Sequence, residues 1–535
     1  MTWTDPKILV IAAICAAQPT TGAARPPLSA SDWLSGTVQE APNQSSWRPG
    51  DPRPKDSVKA QKKDLARTGS VEPVGVTRLG SNNPDSLGTV SARTAGLPAD
   101  LWGASDGALL ARQVLAQDPQ LPALRRLLRR VLAARLDPPS VINKEDEGVL
   151  FLARVDKLLD MGATGAAQEL LQTAGPSDPD RFRRLFDIAL LSANEAQACE
   201  IMDLTPGIAP SFSARIFCLA LRGDWAAASL VQYGAETLGQ IDSDTARLLS
   251  HFLDDGYADS DEILPPPATV TPLLYRLHEA VGQPLPPSNL PLAFSLFDLD
   301  DNGGWKAQLE AAERLARAGA VPASQLRDIY LLQGPAASGG VWDRVAAVQA
   351  LEDALANRDK DALEASLPAA FDAMHQAGLI YALADMVGAQ SAALAPAGRA
   401  GSLAMWLALA ANQPQTIEQL PTQATAFDRW LVAFASGEAV SLTPPAGGDE
   451  ALATTIASAF SSQAPLSDAA SGLIAENRRG EALFAALDAV NAGVNGDSNR
   501  AAQGLRTLIA LDQTEIARQA AVELMLNSLL AEPAR

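Results

Sequence analysis

One junction recurs along this chain and limits what it can fold into. An apolar helical segment ends in a short turn around Gly, Asn or Asp, and a second helical segment rich in small residues follows at once. A Gly that ends one helix and a tight turn into the next produce a helical hairpin. The junctions fall within residues 158–171, 219–230, 315–322, 355–363, 474–483 and 509–517. Hairpins in series stack into a solenoid, so the pattern predicts an all-α chain.

The composition supports helices over strands. Alanine makes up about a fifth of the 535 residues, and it is the best helix former. Strict alternation of β-branched and polar residues, which would indicate strands, is hard to find. The small residues at the junctions resemble degenerate tetratricopeptide repeats, although the spacing departs from the usual 34 residues. We therefore expect an irregular TPR-like α-solenoid.

The first residues have the features of a secretory signal. Lys7 precedes an apolar run at residues 8–17, and small residues follow at 21–24. Ten apolar residues are too few to span a bilayer as a helix, whereas they suit a signal peptide. We expect a cleaved signal at residues 1–24 and a periplasmic protein without a transmembrane span. An uncleaved anchor and a different start codon are the alternatives.

Composition divides the rest of the chain. Residues 25–97 are rich in Pro, Ser, Gly and Asn, and lack a sustained apolar period, so they predict a disordered arm. Pro-rich punctuation at 264–287 predicts a linker between two helical lobes, at 98–263 and 288–535. Within the first lobe, residues 123–136 form an amphipathic pattern with arginines opposite leucines. We interpret it as a packed helix with a solvated basic face, and attachment to an anionic membrane is the alternative.

Two cysteines remain after the predicted signal, Cys199 and Cys218. They lie in consecutive helical segments separated by a turn rich in Pro and Gly, and two antiparallel helices would bring them close together. An even number of cysteines in an exported protein favours a disulfide. Two buried free thiols are the alternative.

Charge and motif spacing exclude several classes of function. The net charge of −20 argues against nucleic acid, which needs a basic surface. The three histidines are widely separated, and no catalytic or cofactor motif is present. Asp298, Asp300 and Asn302 match the first half of a calcium loop, but the twelfth position lacks the expected Glu. These residues are a weak calcium candidate, and a helix-capping turn is the competing interpretation.

Three segments, at 101–105, 304–319 and 335–344, resemble an uncharacterised exported family of alphaproteobacteria. Its members are sometimes labelled antifreeze-glycopeptide-like. This chain lacks Ala-Ala-Thr tripeptide repeats and a regular eleven-residue Thr period, so we do not expect ice binding. The resemblance implies an exported helical-repeat protein.

These features predict a non-enzymatic periplasmic scaffold or adaptor that binds a protein or peptide partner of the cell envelope, without a cofactor. An all-helical periplasmic chaperone of a motility stator, as in rhizobia, is an analogue by architecture, so a motility-related role is one form of this hypothesis. The alternative is a glycan-binding protein of the cell wall or an enzyme that acts on peptidoglycan. Such an enzyme needs a cleft with a perturbed carboxylate.

Overall fold

The computed structural model describes residues 33–34, 83–140, 146–254, 256, 262–300, 303–438 and 441–531. Within these ranges the fold is all-α, as the sequence predicts, with 23 α-helices and a single pair of two-residue strands. The predicted signal and most of the predicted arm lie outside the described residues.

Of the first ten helices, nine precede the Pro-rich segment and the tenth lies within it. They are α1 Gly107–Ala116, α2 Pro122–Ala133, α3 Val149–Asp160, α4 Thr164–Ala174, α5 Pro179–Leu191, α6 Glu195–Leu204, α7 Phe212–Leu221, α8 Trp225–Thr237, α9 Ser243–Leu253 and α10 Pro272–Ala280. Strand β1, Val90–Ser91, pairs in parallel with β2, Ala134–Arg135.

Thirteen helices follow that segment. They are α11 Ser295–Leu299, α12 Trp305–Arg317, α13 Ala323–Tyr330, α14 Val341–Ala356, α15 Lys360–Gln376, α16 Ile380–Leu394, α17 Gly398–Ala410, α18 Ala426–Ala435, α19 Glu450–Ser458, α20 Asp468–Ala475, α21 Arg479–Asn491, α22 Ser498–Ala510 and α23 Thr514–Ala531.

The junctions share one backbone geometry. Gly162 and Gly223 have φ angles of 70° and 82°, in the left-handed region that Gly adopts without strain. The next N–H then donates to a carbonyl five residues earlier, as Ala163 does to Leu158 at 2.8 Å. This is the Schellman bond that ends a helix and reverses the chain. At the 474–483 junction Asn477 takes the same role with a φ of 57°. The hairpins are therefore confirmed.

Side-chain caps set many of the helix starts. Asp and Ser side chains accept a hydrogen bond from a backbone N–H in the first turn, which otherwise has no partner. Caps of this kind precede α5, α7, α8, α9, α15, α19, α20 and α22, at Asp178, Ser211, Asp224, Asp242, Asp359, Asp449, Ser467 and Asp497.

The larger hydrophobic cluster, here called the main cluster, joins the beginning and the end of the described chain. Helix α2 packs against α23, and α1 packs against α21. The carboxylate of Glu523 in α23 accepts from the Ala123 N–H at the start of α2, at 3.0 and 3.2 Å. The Gly480 N–H donates to the Leu101 carbonyl at 2.8 Å. The helical array therefore closes on itself.

The basic face of α2 takes part in this closure. The Arg125 and Arg129 side chains donate to the carbonyls of Arg317 and Ala318 at the end of α12, at 2.8 and 2.9 Å. Burial lowers the pKa of Arg129 to about 10. These arginines cap a helix C-terminus, where cations are favourable. The helix is packed, as predicted, but its basic face is only partly solvated, because Arg125 and Arg129 bind carbonyls that are distant in sequence.

A smaller hydrophobic cluster, here called the second cluster, lies within residues 182–277 and is built from α5 to α10. Its boundaries differ from the predicted division at 264–287. Helices α1 to α4 bury their apolar faces in the main cluster with the C-terminal helices. Leu264, Leu273 and Leu277, within the Pro-rich segment and α10, belong to the second cluster.

Residues 83–97, assigned to the arm by composition, belong to the folded body. The Asp85 carboxylate is fully buried and accepts from the Phe151 N–H at 2.7 Å and the Gly148 N–H at 3.2 Å. Within the arm itself, Trp33 is fully buried and meets the Phe294 ring edge-on, with a centroid distance of 5.4 Å. The polar composition of residues 25–97 gave no indication that these few residues are buried.

Candidate interaction surface

Large apolar side chains are exposed mainly on the second cluster. Among the described residues, fourteen such side chains are exposed, and eight of them lie between positions 204 and 263. We call these eight residues the α8 surface: Leu204, Phe212, Leu221, Trp225, Leu230, Tyr233, Leu238 and Ile263. Large exposed apolar patches on a folded protein usually mark interaction sites.

Helix α8 is apolar on both its faces. Its inner face buries Ala228, Gln232 and Ala235, which follow the i, i+4, i+7 spacing of one helical face. At 100° per residue, Leu230 and Tyr233 fall on the opposite arc, whereas Trp225 lies at the edge of the inner face. Leu230 is 72% exposed and Tyr233 is 71% exposed. A helix that is apolar all round is normally buried on all sides. The outer face of α8 has the composition of a buried face but is exposed to solvent.

The same helix is almost free of charge. Between Trp225 and Ala235 it has no ionisable group except Tyr233, and Glu236 is its single charged residue. Solvent-facing helix surfaces usually carry charged residues that keep a protein soluble. An uncharged, apolar outer face is costly in water and favourable at an interface.

Polar anchors hold α8 in place from its inner side. The Gln232 amide donates to the Ala246 carbonyl at 2.9 Å and to the Ser250 hydroxyl at 2.8 Å, both on α9. The rings of Trp225 and Phe252 lie 6.2 Å apart. With one face fixed in this way, the opposite face of α8 points outward.

The predicted disulfide lies beside this surface and is confirmed. Cys199 in α6 bonds to Cys218 in α7, with a Cα–Cα distance of 5.3 Å. The bond fixes α6 against α7 across the turn that carries Leu204 and Phe212, two members of the α8 surface. Both cysteines are buried.

Charged groups lie next to the surface and neutralise one another. Asp203 pairs with Arg215 at 3.8 Å and with Arg222, whose side chain is 45% exposed. Glu262 pairs with Arg247 at 3.7 Å, beside Ile263. The apolar surface therefore has a polar rim, as protein interfaces do.

The calcium candidate gains no support from the geometry. Asp298 lies inside α11 and is buried, and burial raises the pKa of its carboxyl. Asp300 follows the helix and is exposed, and Asn302 lies outside the described residues. In the ranges that the structure covers, no group of three His, Cys, Asp or Glu is arranged to hold a metal.

Glu523 is the buried carboxylate with the most perturbed environment. Burial raises its pKa to about 7, although Arg126 and the Ala123 N–H oppose the shift. Its oxygens accept from the Ala123 N–H and from the side chains of Arg126 and Gln519, so we assign it to the closure of the array. A cavity of about 400 Å³ lies between Ile263 and His278, beside the α8 surface.

The sequence interpretation missed the α8 surface. The uncharged run at 225–235 was a usable signal, since an exposed helix of this length normally carries several charges. What it could not show was which face of α8 the neighbouring helices cover.

No protein-family model, characterised protein or solved structure matches this chain significantly. None of the helices in the described part of the chain combines the length and apolar character needed to cross a bilayer. The fold and the surface together define an all-helical repeat protein with exposed apolar side chains on its second cluster.

Proposed function

We propose that this protein is a non-enzymatic periplasmic scaffold or adaptor that binds a protein of the cell envelope through the α8 surface. The observation that carries the proposal is the concentration of eight exposed large apolar side chains on the smaller cluster. The main cluster is larger in chain length, yet fewer of these side chains lie outside 204–263. Such asymmetry is typical of a surface that a partner covers.

The chemistry of the surface favours a protein partner. Trp225 and Tyr233 are aromatic residues of the kind enriched at protein interfaces, where they supply large contact areas at low entropic cost. Ion pairs that include Asp203, Arg222 and Glu262 lie close to these apolar residues in the sequence.

The disulfide supports the proposed compartment. Disulfides form and persist in the periplasm and are rare in the reducing cytoplasm. The Cys199–Cys218 bond links α6 to α7 next to the surface. In this proposal, oxidation of the two cysteines therefore helps to hold the α8 surface in place.

Photocrosslinking in cells tests the proposal. We would place a photoreactive amino acid at Tyr233 and, as a control, at Lys306, whose side chain is 64% exposed on α12. We expect light-dependent adducts at position 233 and none at position 306. The masses of the adducts, followed by their identification, define the partner. Equal adducts at both positions, or none at 233, would contradict the proposal.

Fractionation tests the compartment with the same strains. We expect the chain in the periplasmic fraction, with no free thiol at Cys199 or Cys218 until a reductant is added. A cytoplasmic chain with two thiols that react at once after denaturation would contradict the assignment.

A further inference from the structure

The cavity of about 400 Å³ beside the α8 surface has mostly apolar walls. These walls are formed by Ile263, Leu264, Pro266, Pro284 and Leu285. Leu264 and Leu285 are buried, whereas Ile263 is 88% exposed and lies at the open edge. The volume and the apolar lining are typical of a pocket that binds a ligand with few polar contacts.

One side chain holds the two walls of this pocket together. Gln283, three residues after α10, donates from its amide to the Glu262 carbonyl at 2.8 Å. Its amide oxygen accepts from the Leu264 N–H at 2.9 Å. The segment that carries Ile263 is therefore tied to the end of α10 on both sides of that residue. A pocket with walls fixed in advance loses little entropy when a ligand enters.

One polar group in the wall lacks a partner. His278 lies in the last turn of α10, lines the cavity and is only 3% exposed. Its Nδ1 atom is buried and has no hydrogen-bond partner among the described residues. Burial lowers the pKa of the imidazole, although a hydrogen bond with the Gln283 backbone opposes the shift, so the ring is uncharged at neutral pH. A buried polar atom without a partner costs free energy, which a ligand recovers by supplying the partner.

The pocket favours an uncharged ligand. Among the described residues that line it, Glu262 is the single charged one. Its carboxylate pairs with Arg247 at 3.7 Å and with the His251 Nε2 atom at 3.1 Å. A charged ligand would lose its hydration against apolar walls and would have to compete with these pairs.

We infer that this pocket binds a tyrosine side chain of the protein partner, with the phenol ring between the apolar walls and the hydroxyl on Nδ1 of His278. The inference rests on the proposed function and names the residue type by which the partner is recognised. A hydroxyl both donates and accepts, so it pairs with Nδ1 in either tautomer of the neutral imidazole. The indole of a tryptophan only donates and fits one tautomer alone. A phenylalanine would leave Nδ1 without a partner.

The position of the pocket favours a side chain over a free small molecule. Ile263 belongs both to the lining of the pocket and to the α8 surface. A chain that covers the α8 surface therefore passes the open edge of the pocket. Tyrosine is among the residue types that contribute most to binding at protein interfaces, where its ring is buried and its hydroxyl finds a partner.

Titration of the full chain with 4-methylphenol, which reproduces the tyrosine side chain, tests the pocket. The sequence has three histidines, so NMR can follow each imidazole separately. We expect 4-methylphenol to shift the Nδ1 signal of His278 and to leave the signals of His375, which is exposed, unchanged. Toluene has the same ring without the hydroxyl and should bind about tenfold more weakly. Equal affinity for the two compounds, or no shift at His278, would overturn the inference.

His278→Phe keeps a ring in the wall and removes the nitrogen. In this variant the preference for 4-methylphenol over toluene should disappear. His375→Phe is the matched control and should keep the preference. Circular dichroism and the retained disulfide show that each variant is folded, and the wild-type titration decides the question without any variant. A preference that persists in His278→Phe would overturn the role of Nδ1.

A second pair of compounds distinguishes a side chain on a backbone from a free phenol. We expect N-acetyl-tyrosinamide to shift the His278 signal and to bind about tenfold more tightly than N-acetyl-phenylalaninamide. If 4-methylphenol binds and N-acetyl-tyrosinamide does not, the pocket accepts a free phenol only, and the inference of a partner tyrosine is overturned.

Photocrosslinking at position 233 separates this inference from the proposed function. If position 233 gives adducts and neither phenol compound binds, the inference fails and the scaffold function stands. If N-acetyl-tyrosinamide binds at His278 and position 233 gives no adduct, the proposed function fails while the specificity of the pocket for the tyrosine side chain stands.

Discussion

The main cluster and the second cluster are built from the same helical hairpins, but they differ in how they are held together. The main cluster buries charged groups with matched partners. Glu313 accepts from Arg344 through two bonds of 2.7 Å and from the Tyr330 hydroxyl at 2.8 Å. The second cluster is smaller and carries the Cys199–Cys218 disulfide.

The two clusters also differ in what they leave exposed. The second cluster exposes most of the large apolar side chains that face solvent in the described chain. A small core can bury only a limited share of its apolar surface, so a covalent link raises its stability without further burial. The region with the smaller core is therefore also the one that leaves more large apolar side chains exposed.

The largest effect is expected from Arg154, in the main cluster. Its guanidinium is fully buried and donates to the carbonyls of Leu132, Ala134, Asp85 and Leu87. Arg154→Ala removes the donor to these four carbonyls and the positive charge close to the buried Asp85 carboxylate. We expect a loss of about 3–5 kcal/mol in the free energy of unfolding, measured by urea denaturation.

Arg112→Ala is the control for that variant, because Arg112 is exposed on α1. It should change the free energy of unfolding by less than about 0.5 kcal/mol. In Arg154→Ala, hydrogen exchange should be faster throughout the main cluster, because the free energy of unfolding is lower. Unchanged exchange there would contradict the role given to Arg154.

Removing the disulfide should destabilise the second cluster selectively. Cys199→Ala with Cys218→Ala opens a link across a sequence separation of 19 residues, with an expected cost of about 3 kcal/mol. Hydrogen exchange should accelerate in α6 to α9 and stay unchanged in α21 to α23. Reduction of the wild type should have the same effect. An equal loss in both clusters would mean that the two do not unfold separately.

The closure of the main cluster should depend on pH through Glu523. Burial raises the pKa of this carboxyl from 4.5 to about 7, so the folded state holds the proton more tightly than the unfolded state. Its contribution is therefore fully present below about pH 4.5 and is lost as the pH rises through 7. We expect about 3 kcal/mol over this range, absent in Glu523→Gln.

Comparing the wild type with Glu523→Gln separates the contribution of Glu523 from that of the neighbouring ionisable groups. Burial also raises the pKa of Asp385, which faces Glu523, while Arg126 lowers the pKa of both groups. These groups remain in the variant, so the difference in denaturation curves between pH 5 and 8 reports Glu523. Glu438→Gln, at an exposed position, should leave the wild-type pH dependence unchanged.

The smallest effects come from two helical glycines, one in each cluster. A Cβ at Gly480 would lie 2.6 Å from the Trp102 ring, so Gly480→Ala should cost about 1–3 kcal/mol. A Cβ at Gly234 in α8 would meet nothing within 4 Å, so Gly234→Ala should add about 0.5–1 kcal/mol. Urea denaturation measures both. If both variants changed the free energy of unfolding in the same direction, either the close packing at Gly480 or the open space at Gly234 would be contradicted.

The hairpins and the disulfide could be predicted because their signals are local. The junction at Gly162 and the cap at Asp224 depend on neighbours within five residues. Cys199 and Cys218 lie on consecutive helices joined by one turn, so the hairpin itself brings them together. The calcium candidate was also a local pattern, but Asp298 lies inside α11 and Asp300 follows the end of that helix.

The anchors in the predicted arm could not be found from composition. Trp33 is isolated in a polar segment, and its partner Phe294 is far away in sequence. In residues 83–97, Asp85 binds the backbone at the start of α3, and Val90–Ser91 pairs with Ala134–Arg135. A few buried contacts of this kind outweigh a composition that favours disorder.

The sequence by itself determined the helices, their caps, the turns between them and the disulfide, because each depends on residues that are close along the chain. Only the tertiary structure decided that α2 closes on α23, through a bond between Ala123 and Glu523, which are 400 residues apart. It also decided which face of α8 is covered. Both faces of that helix are apolar, so the neighbours that fold against it, rather than its own residues, leave Leu230 and Tyr233 outside.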